Sequence, residues 1–286
     1  MTTWAIICNP TSGRFHRDTL ALIESACHAK GITPRILLTE APGHATVLAR
    51  QVKGVDRVMV YGGDGTLNEA ANGLAGGGVP LGFLPGGTAN STAREIGLPL
   101  DPVKAVGVMA QAKVLPVRLG RINYRYFINM AGLGFDATTI FFLTKEAKGA
   151  LGPLAYILFG FRTLLYSHPS MEVITPDGKR RPAIWVVAAR AKTYAGWMTI
   201  HPRAGMFQPR LGLMAVNGWM LVPFGIGRLL LRLPIRGPGL VLDDHATFQV
   251  TVEKPVHAHV DGCYLGLGQR FDFGLADKEL LFCFPS

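Results

Sequence analysis

Val58-Met59-Val60-Tyr61-Gly62-Gly63-Asp64-Gly65-Thr66-Leu67-Asn68-Glu69 runs from an apolar strand into glycines set around one carboxylate, and then opens a helix. Glycines let backbone N–H groups approach an anion without Cβ interference, and a helix start adds unpaired donors and the positive end of its dipole. The turn therefore reads as a phosphate cradle. Asp64 would repel polyphosphate unless a divalent cation lay between them or the acid took part in chemistry. A plain strand-to-helix connection capped by Asp64 needs neither the flanking glycines nor Thr66 and Asn68.

Working outward, short apolar runs alternate with helical stretches: Trp4–Cys8 and Arg17–Lys30, Arg35–Leu38 and His44–Val52, Arg57–Tyr61 and Leu67–Leu74, Leu81–Leu84 and Thr88–Glu95. This alternation predicts a parallel sheet with helices on both faces, whose ligands gather at the carboxyl ends of the strands. Three unusual loops fall there: Asn9-Pro10-Thr11-Ser12-Gly13, Gly62–Thr66, and Leu84-Pro85-Gly86-Gly87-Thr88-Ala89-Asn90.

Beyond about Gln111 the pattern becomes β-rich, with Val114–Leu119, Arg125–Asn129, Met171–Thr175, Ala183–Ala189, Gly212–Val216, Thr247–Val252, Val256–Val260 and Arg270–Phe273 separated by Gly, Pro and Asp turns. Such spacing suggests an antiparallel sandwich. The expected fold class is thus α/β plus all-β. Residues 1–115 would form a three-layer α/β domain built around the phosphate cradle and residues 116–286 a β-sandwich domain, with Leu280–Phe284 able to return to the first.

The 286 residues are 49% hydrophobic and 17% charged, which suits a folded protein. A net charge of +10 favours an anionic partner, either nucleotide, nucleic acid or acidic lipid. No basic run interleaved with aromatics and no zinc-finger signature supports nucleic acid. Cys8, Cys27, Cys263 and Cys283 are scattered and form no CxxC pair, as expected of buried thiols in a reducing compartment. The start, Met1-Thr2-Thr3-Trp4-Ala5-Ile6-Ile7-Cys8, lacks a basic leader and has too short an apolar run for a signal peptide, so the expected location is the cytoplasm. Leu151–Tyr166 and Trp219–Leu233 are apolar but interrupted by Gly, Pro and Arg, falling short of the ~20 residues of a spanning helix. They read either as core or as segments that touch a bilayer or line a lipid groove.

Asn9-Pro10-x-Ser12-Gly13, Gly62-Gly63-Asp64-Gly65-Thr66-x-Asn68-Glu69 and Leu84-Pro85-x-Gly87-Thr88-x-Asn90, taken in order, resemble the diacylglycerol kinase catalytic family, which includes bacterial lipid kinases and the sphingosine and ceramide kinases. The resemblance continues through Phe127-Ile128-Asn129-Met130-Ala131-Gly132-Leu133-Gly134-Phe135-Asp136, through Lys148–Tyr156, and to Val260-Asp261-Gly262. It implies an ATP-dependent lipid kinase using Mg²⁺. Asn9 and Ser12 would shape the nucleotide pocket, the backbone of Gly62, Gly63, Asp64, Gly65, Thr66 and Asn68 would cradle phosphates, and Thr39 and Thr88 would contact nucleotide. Asp64 would act through Mg²⁺ and Asp261 on the lipid hydroxyl.

Diacylglycerol is the leading acceptor by family frequency, with ceramide and sphingoid bases as further ones. The implied setting is peripheral, on the inner face of an anionic membrane, with a homodimer left open. Arg118, Leu211 and Cys263 stand where the family carries carboxylates, including the Glu of Asp-Gly-Glu and a segment associated with magnesium. That leaves as alternatives a catalytically weak relative that binds lipid or nucleotide, and an NAD kinase, which shares the first domain. No Gly-x4-Gly-Lys-Ser/Thr stretch supports a P-loop enzyme.

Overall fold

A computed structural model describes residues 2–146, 160, 162–163, 169–194, 198–218, 227–228, 237 and 239–286. The Lys148–Tyr156 match lies outside the described residues, as do most of the apolar segments 151–166 and 219–233. Two compact units emerge: Met1–Arg118 with Asp277–Ser286, and Leu119–Ala276.

The first unit contains β1 (Thr2–Cys8), α1 (Arg17–Ala29), β2 (Ile32–Leu38), α2 (His44–Gln51), β3 (Arg57–Gly62), α3 (Asp64–Leu74), β4 (Leu81–Pro85), α4 (Ser91–Glu95) and α5 (Pro102–Ala110). Its strands are parallel, with β1 between β2 and β3, and β4 beyond β3. Trp4, Ile6, Ile7, Val58, Val60, Leu81 and Phe83 are fully buried, as a sheet covered on both faces requires. Pro34 is tolerated in β2 because that strand pairs only with β1. Helix α1 packs on α5 and α2 on α3, supplying the helical layers.

Two helix starts differ from the sequence reading. Helix α3 begins at Asp64 rather than Leu67, with Gly63 as its N-cap, so the glycine turn merges into the first helical turn. Helix α4 begins at Ser91 rather than Thr88, because Asn90 adopts a left-handed conformation (φ 49°). The Asn90 side chain closes that loop, its Oδ1 accepting from Gly87 N at 2.9 Å and its Nδ2 donating to Gly87 O at 2.9 Å. Helix α5 was absent from the pattern, although Asp101 caps it by accepting from Val103 N at 2.8 Å, ahead of Pro102.

The chain passes into the second unit within β5 (Lys113–Ile122), followed by β6 (Arg125–Phe127), β7 (Met130–Gly134), α6 (Phe135–Glu146), β8 (Met171–Ile174), β9 (Arg180–Ala183), β10 (Trp185–Ala189), β11 (Thr193–Tyr194), β12 (Met198–Thr199), β13 (Leu211–Val216), β14 (Leu240–His245), β15 (Thr247–Val260) and β16 (Cys263–Phe284). The end of β16 belongs to the first unit, where Phe282 pairs with Leu81 of β4.

Pairing within the second unit is antiparallel: β14, β13, β10, β7 and β15 lie side by side, and β15 continues onto the β8–β9 hairpin. One core gathers Ala131, Leu133, Val186, Ala188, Leu211 and Leu213 against Met171, Val173, Phe248, Val250 and Phe273, as the facing layers of a sandwich do. A second core, with Met130, Trp185, Val187 and Met214, packs the opposite side of the same strands against Phe135 of α6. The two segments read as Thr247–Val252 and Val256–Val260 are one strand. Its register shifts between Thr251 and Val256, where Pro255 has no N–H to give the ladder.

Candidate functional site

In the first unit, the three unusual loops meet at the carboxyl ends of β1, β3 and β4. Asn9 N donates to Tyr61 O at 3.1 Å, Gly86 N to Gly62 O at 2.7 Å, and Arg14 N to Gly86 O at 2.9 Å. A Cβ on Gly87 would stand 2.5 Å from the Cα of Gly63, so the two glycine loops touch backbone to backbone. Only glycine permits that approach. Gly62 is buried, whereas Gly63 and Gly65 are half-buried at the start of α3, whose first-turn N–H groups find no acceptor within the helix itself.

The polar side chains divide into two sets. Several brace the loops: Asn9 Nδ2 donates to Thr66 Oγ1 at 3.0 Å, and Ser12 Oγ to Asn9 O at 2.9 Å. Asn68 is 1% exposed and accepts at Oδ1 from Asn72 Nδ2 at 3.2 Å. Thr66 and Asn68, both buried, thus support the cradle from within. By contrast, Thr88 is exposed and Thr39 half-buried; Thr39 N donates to Cys8 O at 2.9 Å, which sets it beside the end of β1.

Asp64 holds a position that sequence reasoning did not foresee. Its Oδ2 accepts from Ser91 N and its Oδ1 from Thr92 N, both at 2.9 Å, so the carboxylate caps α4. Two of a carboxylate's roughly four acceptor sites are committed to this task. The same bonds tie the cradle to the Thr88 loop. Among the described residues, no group of three or more His, Cys, Asp or Glu side chains is arranged to hold a metal ion. A cation here would have Asp64 as its protein carboxylate, a donor set that fits magnesium, which keeps several waters and takes phosphate oxygens.

In the second unit, Asp261 turns the corner between β15 and β16 at φ 47°. Its Oδ2 accepts from Ile128 N at 2.7 Å, and its Oδ1 from Asn129 N at 2.8 Å and Met130 N at 2.9 Å. Asp261 N donates in turn to Met130 O at 2.9 Å. Three consecutive amides form a nest for one carboxylate, holding its charge and orientation fixed. Two residues upstream, His259 Nε2 lies 2.9 Å from Asp136 Oδ2, with both side chains at most 2% exposed. This buried pair was missed because its two members lie 123 residues apart and no local pattern joins them.

The three positions that lack carboxylates have different surroundings. Leu211 is fully buried in the sandwich core, Arg118 is exposed on β5, and Cys263 is of intermediate exposure. Next to Leu211, the fully buried Arg190 donates from its guanidinium to the carbonyls of Met206, Gln208 and Arg210, ordering the loop that leads into β13. No helix among the described residues is long and apolar enough to cross a membrane.

Residues 3–122 match the diacylglycerol kinase catalytic domain. A diacylglycerol kinase of Staphylococcus carnosus is 35% identical over 280 residues, covering 91% of this chain and 88% of the relative. That of Bacillus subtilis is 29% identical over 276 residues, covering 92% and 90%. A solved diacylglycerol kinase structure from Bacillus anthracis strain Sterne superposes with a TM-score of 0.74 at 20% identity, over 99% of this chain and 96% of the other, and so shares the fold. With a glycine cradle at the strand ends, a carboxylate nested at the Asp-Gly corner, and relatives that match along nearly the whole length, the chain belongs to the diacylglycerol kinase family.

Proposed function

We propose that this protein transfers the γ-phosphoryl group of ATP to a hydroxyl of a membrane lipid, with diacylglycerol as the favoured acceptor. The observation that carries this reading is the convergence of the Asn9–Gly13, Gly62–Thr66 and Gly86–Asn90 loops, braced by Asn9, Asn90 and Asp64. Phosphates laid on the Gly63–Gly65 main chain would accept from the first-turn amides of α3 and feel its dipole. Thr39 and Thr88 offer neutral hydroxyl donors at the rim. Magnesium, when bound, would neutralise charge on the β- and γ-phosphates, with Asp64 as its protein anchor.

Asp261 is the candidate for receiving the lipid hydroxyl. Its amide nest fixes the carboxylate in one orientation, from which it can align the O–H for in-line attack. Proton and phosphoryl group balance: the hydroxyl oxygen bonds to γ-phosphorus, the bond from that phosphorus to the β–γ bridging oxygen breaks, and the hydroxyl proton leaves through the carboxylate to water. The thiol at Cys263 supplies no second carboxylate. Asp261 therefore works as an orienting group more than as one of a pair of bases.

The test is phosphoryl transfer from labelled Mg²⁺-ATP to vesicles carrying diacylglycerol, ceramide, a sphingoid base or phosphatidylglycerol. A labelled lipid is expected with diacylglycerol, and Asp261→Asn should lower kcat by roughly 10²- to 10⁴-fold while ATP still binds. No labelled lipid across the panel would refute the reading. ATP binding without turnover, unchanged by Asp261→Asn, would point to the catalytically weak relative, and phosphorylation of NAD to the NAD kinase.

A further inference from the structure

Large apolar side chains left exposed on a folded unit are common one at a time and informative when gathered. In the second unit, Tyr124 is 87% exposed, Leu267 62% and Leu265 37%. All three line a single groove of about 380 Å³. Among the described residues, the charged side chains lining that groove are Arg125 and Arg270, and no carboxylate lines it. Arg270 lies a loose 3.8 Å from Asp272, and among the described residues the buried Nε of Arg125 has no hydrogen-bond partner.

The groove is built on rigid supports. Tyr124 rides on the β5–β6 turn, where Asn123 takes φ 50°. That turn is pinned to β16: Asn123 N donates to Asp272 O at 2.9 Å, Asn123 Oδ1 accepts from Asp272 N at 2.8 Å, and Arg121 donates to Asn123 O at 2.8 Å. Along β16 the register shifts at Leu265, with Gly266 at φ 110°, and Leu265 and Leu267 on either side of that glycine both line the groove. The apolar tips are held outward before any partner arrives, which spares them most of the ordering cost of binding.

Resting on the lipid-kinase reading above, we propose that this groove is the face by which the second unit seats on an anionic lipid bilayer. Tyr124, Leu265 and Leu267 enter the boundary between headgroups and acyl chains, and Arg125 and Arg270 meet lipid phosphates. Exposed apolar tips rimmed by cations, with no carboxylate in the lining, match the two layers of such a surface.

Vesicle flotation without nucleotide tests this apart from catalysis, so its failure and the failure of the kinase reading are separate results. The parent protein should float with phosphatidylcholine vesicles containing phosphatidylglycerol and much less with phosphatidylcholine alone. Tyr124→Ser/Leu267→Ser and Arg125→Gln/Arg270→Gln should each weaken partitioning by about tenfold or more. Leu22→Ser, at an equally exposed leucine of the first unit (57%), should float as the parent does. Thermal unfolding of all variants should match the parent. Parent-like flotation of either double variant, an equal loss in Leu22→Ser, or equal parent binding to neutral vesicles would overturn the proposal.

Discussion

Gly132 on β7 lies opposite His259 in the ladder, and its missing side chain makes room for the buried pair next to it. A Cβ at this position would meet Asp136 Oδ2 and His259 Nε2, both well inside 3.0 Å. Neither group can swing into solvent, since His259 is 1% exposed and Asp136 2%. Gly132→Ala must therefore separate the pair or displace the strand. Losing a hydrogen bond to a charged group costs about 1.5–3 kcal/mol. Overpacking a filled core adds about 1–3 kcal/mol. Together these predict about 2.5–6 kcal/mol, a large share of the roughly 5–15 kcal/mol that holds a typical domain folded.

Urea unfolding followed by far-UV circular dichroism measures the change. Gly107→Ala in α5 is the control, because nothing lies within 4 Å of its added Cβ, and it should stabilise by about 0.5–1 kcal/mol through helix propensity. In an Asp136→Ala/His259→Ala background, the further cost of Gly132→Ala should fall below about half its value in the parent. A cost under about 1 kcal/mol in the parent protein, or the same cost in both backgrounds, would refute the argument.

Arg190→Lys should destabilise the second unit by about 2–4 kcal/mol and speed proteolysis within 206–210, because a single ammonium cannot reproduce the guanidinium fork across the three carbonyls. Limited proteolysis at matched stability would check this. The thiols supply a pH prediction, since burial pushes Cys8 up to about 12 and Cys27 and Cys283 up to about 11. Raised folded values mean that their contribution is complete below the ordinary thiol value of 9.0 and is lost as pH climbs from there toward 11–12, by up to about 1.4 kcal/mol per pH unit for each thiol. Urea midpoints measured across that range should fall, and less steeply in Cys27→Ala; at neutral pH a thiol reagent should label Cys263 well before the other three.

The first unit was legible because its signals are local and agree. Apolar runs of strand length, helix-period stretches and glycine turns all pointed to one parallel sheet, with errors at the helix starts Asp64 and Ser91 and in the omission of α5. Those starts depend on which side chain meets which amide, and Asp64 reaches 27 residues along the chain to Ser91. The second unit was read as strands in the right class but with coarser joins. Met130–Gly134 carries no clean period, because Ala131 and Leu133 enter one core and Met130 the other. Likewise, Asp261 is singled out by its match to the family's Asp-Gly-Glu motif, whereas the amide nest around it comes from Ile128–Met130, more than 130 residues away.

The last strand gives the first unit an unusual timetable. Residues 277–286 complete a unit whose other members end at Arg118, and Phe282 pairs with Leu81 along β4. A chain emerging from the ribosome has made all of β1 to β4 long before the residues that flank β4 exist. Until then the outer edge of β4 presents unpaired N–H and C=O groups, the kind of edge on which other chains can add strands. Synthesis order and assembly order are thus opposed across this unit: strands made early are completed only by residues 277–286, which act as the latch.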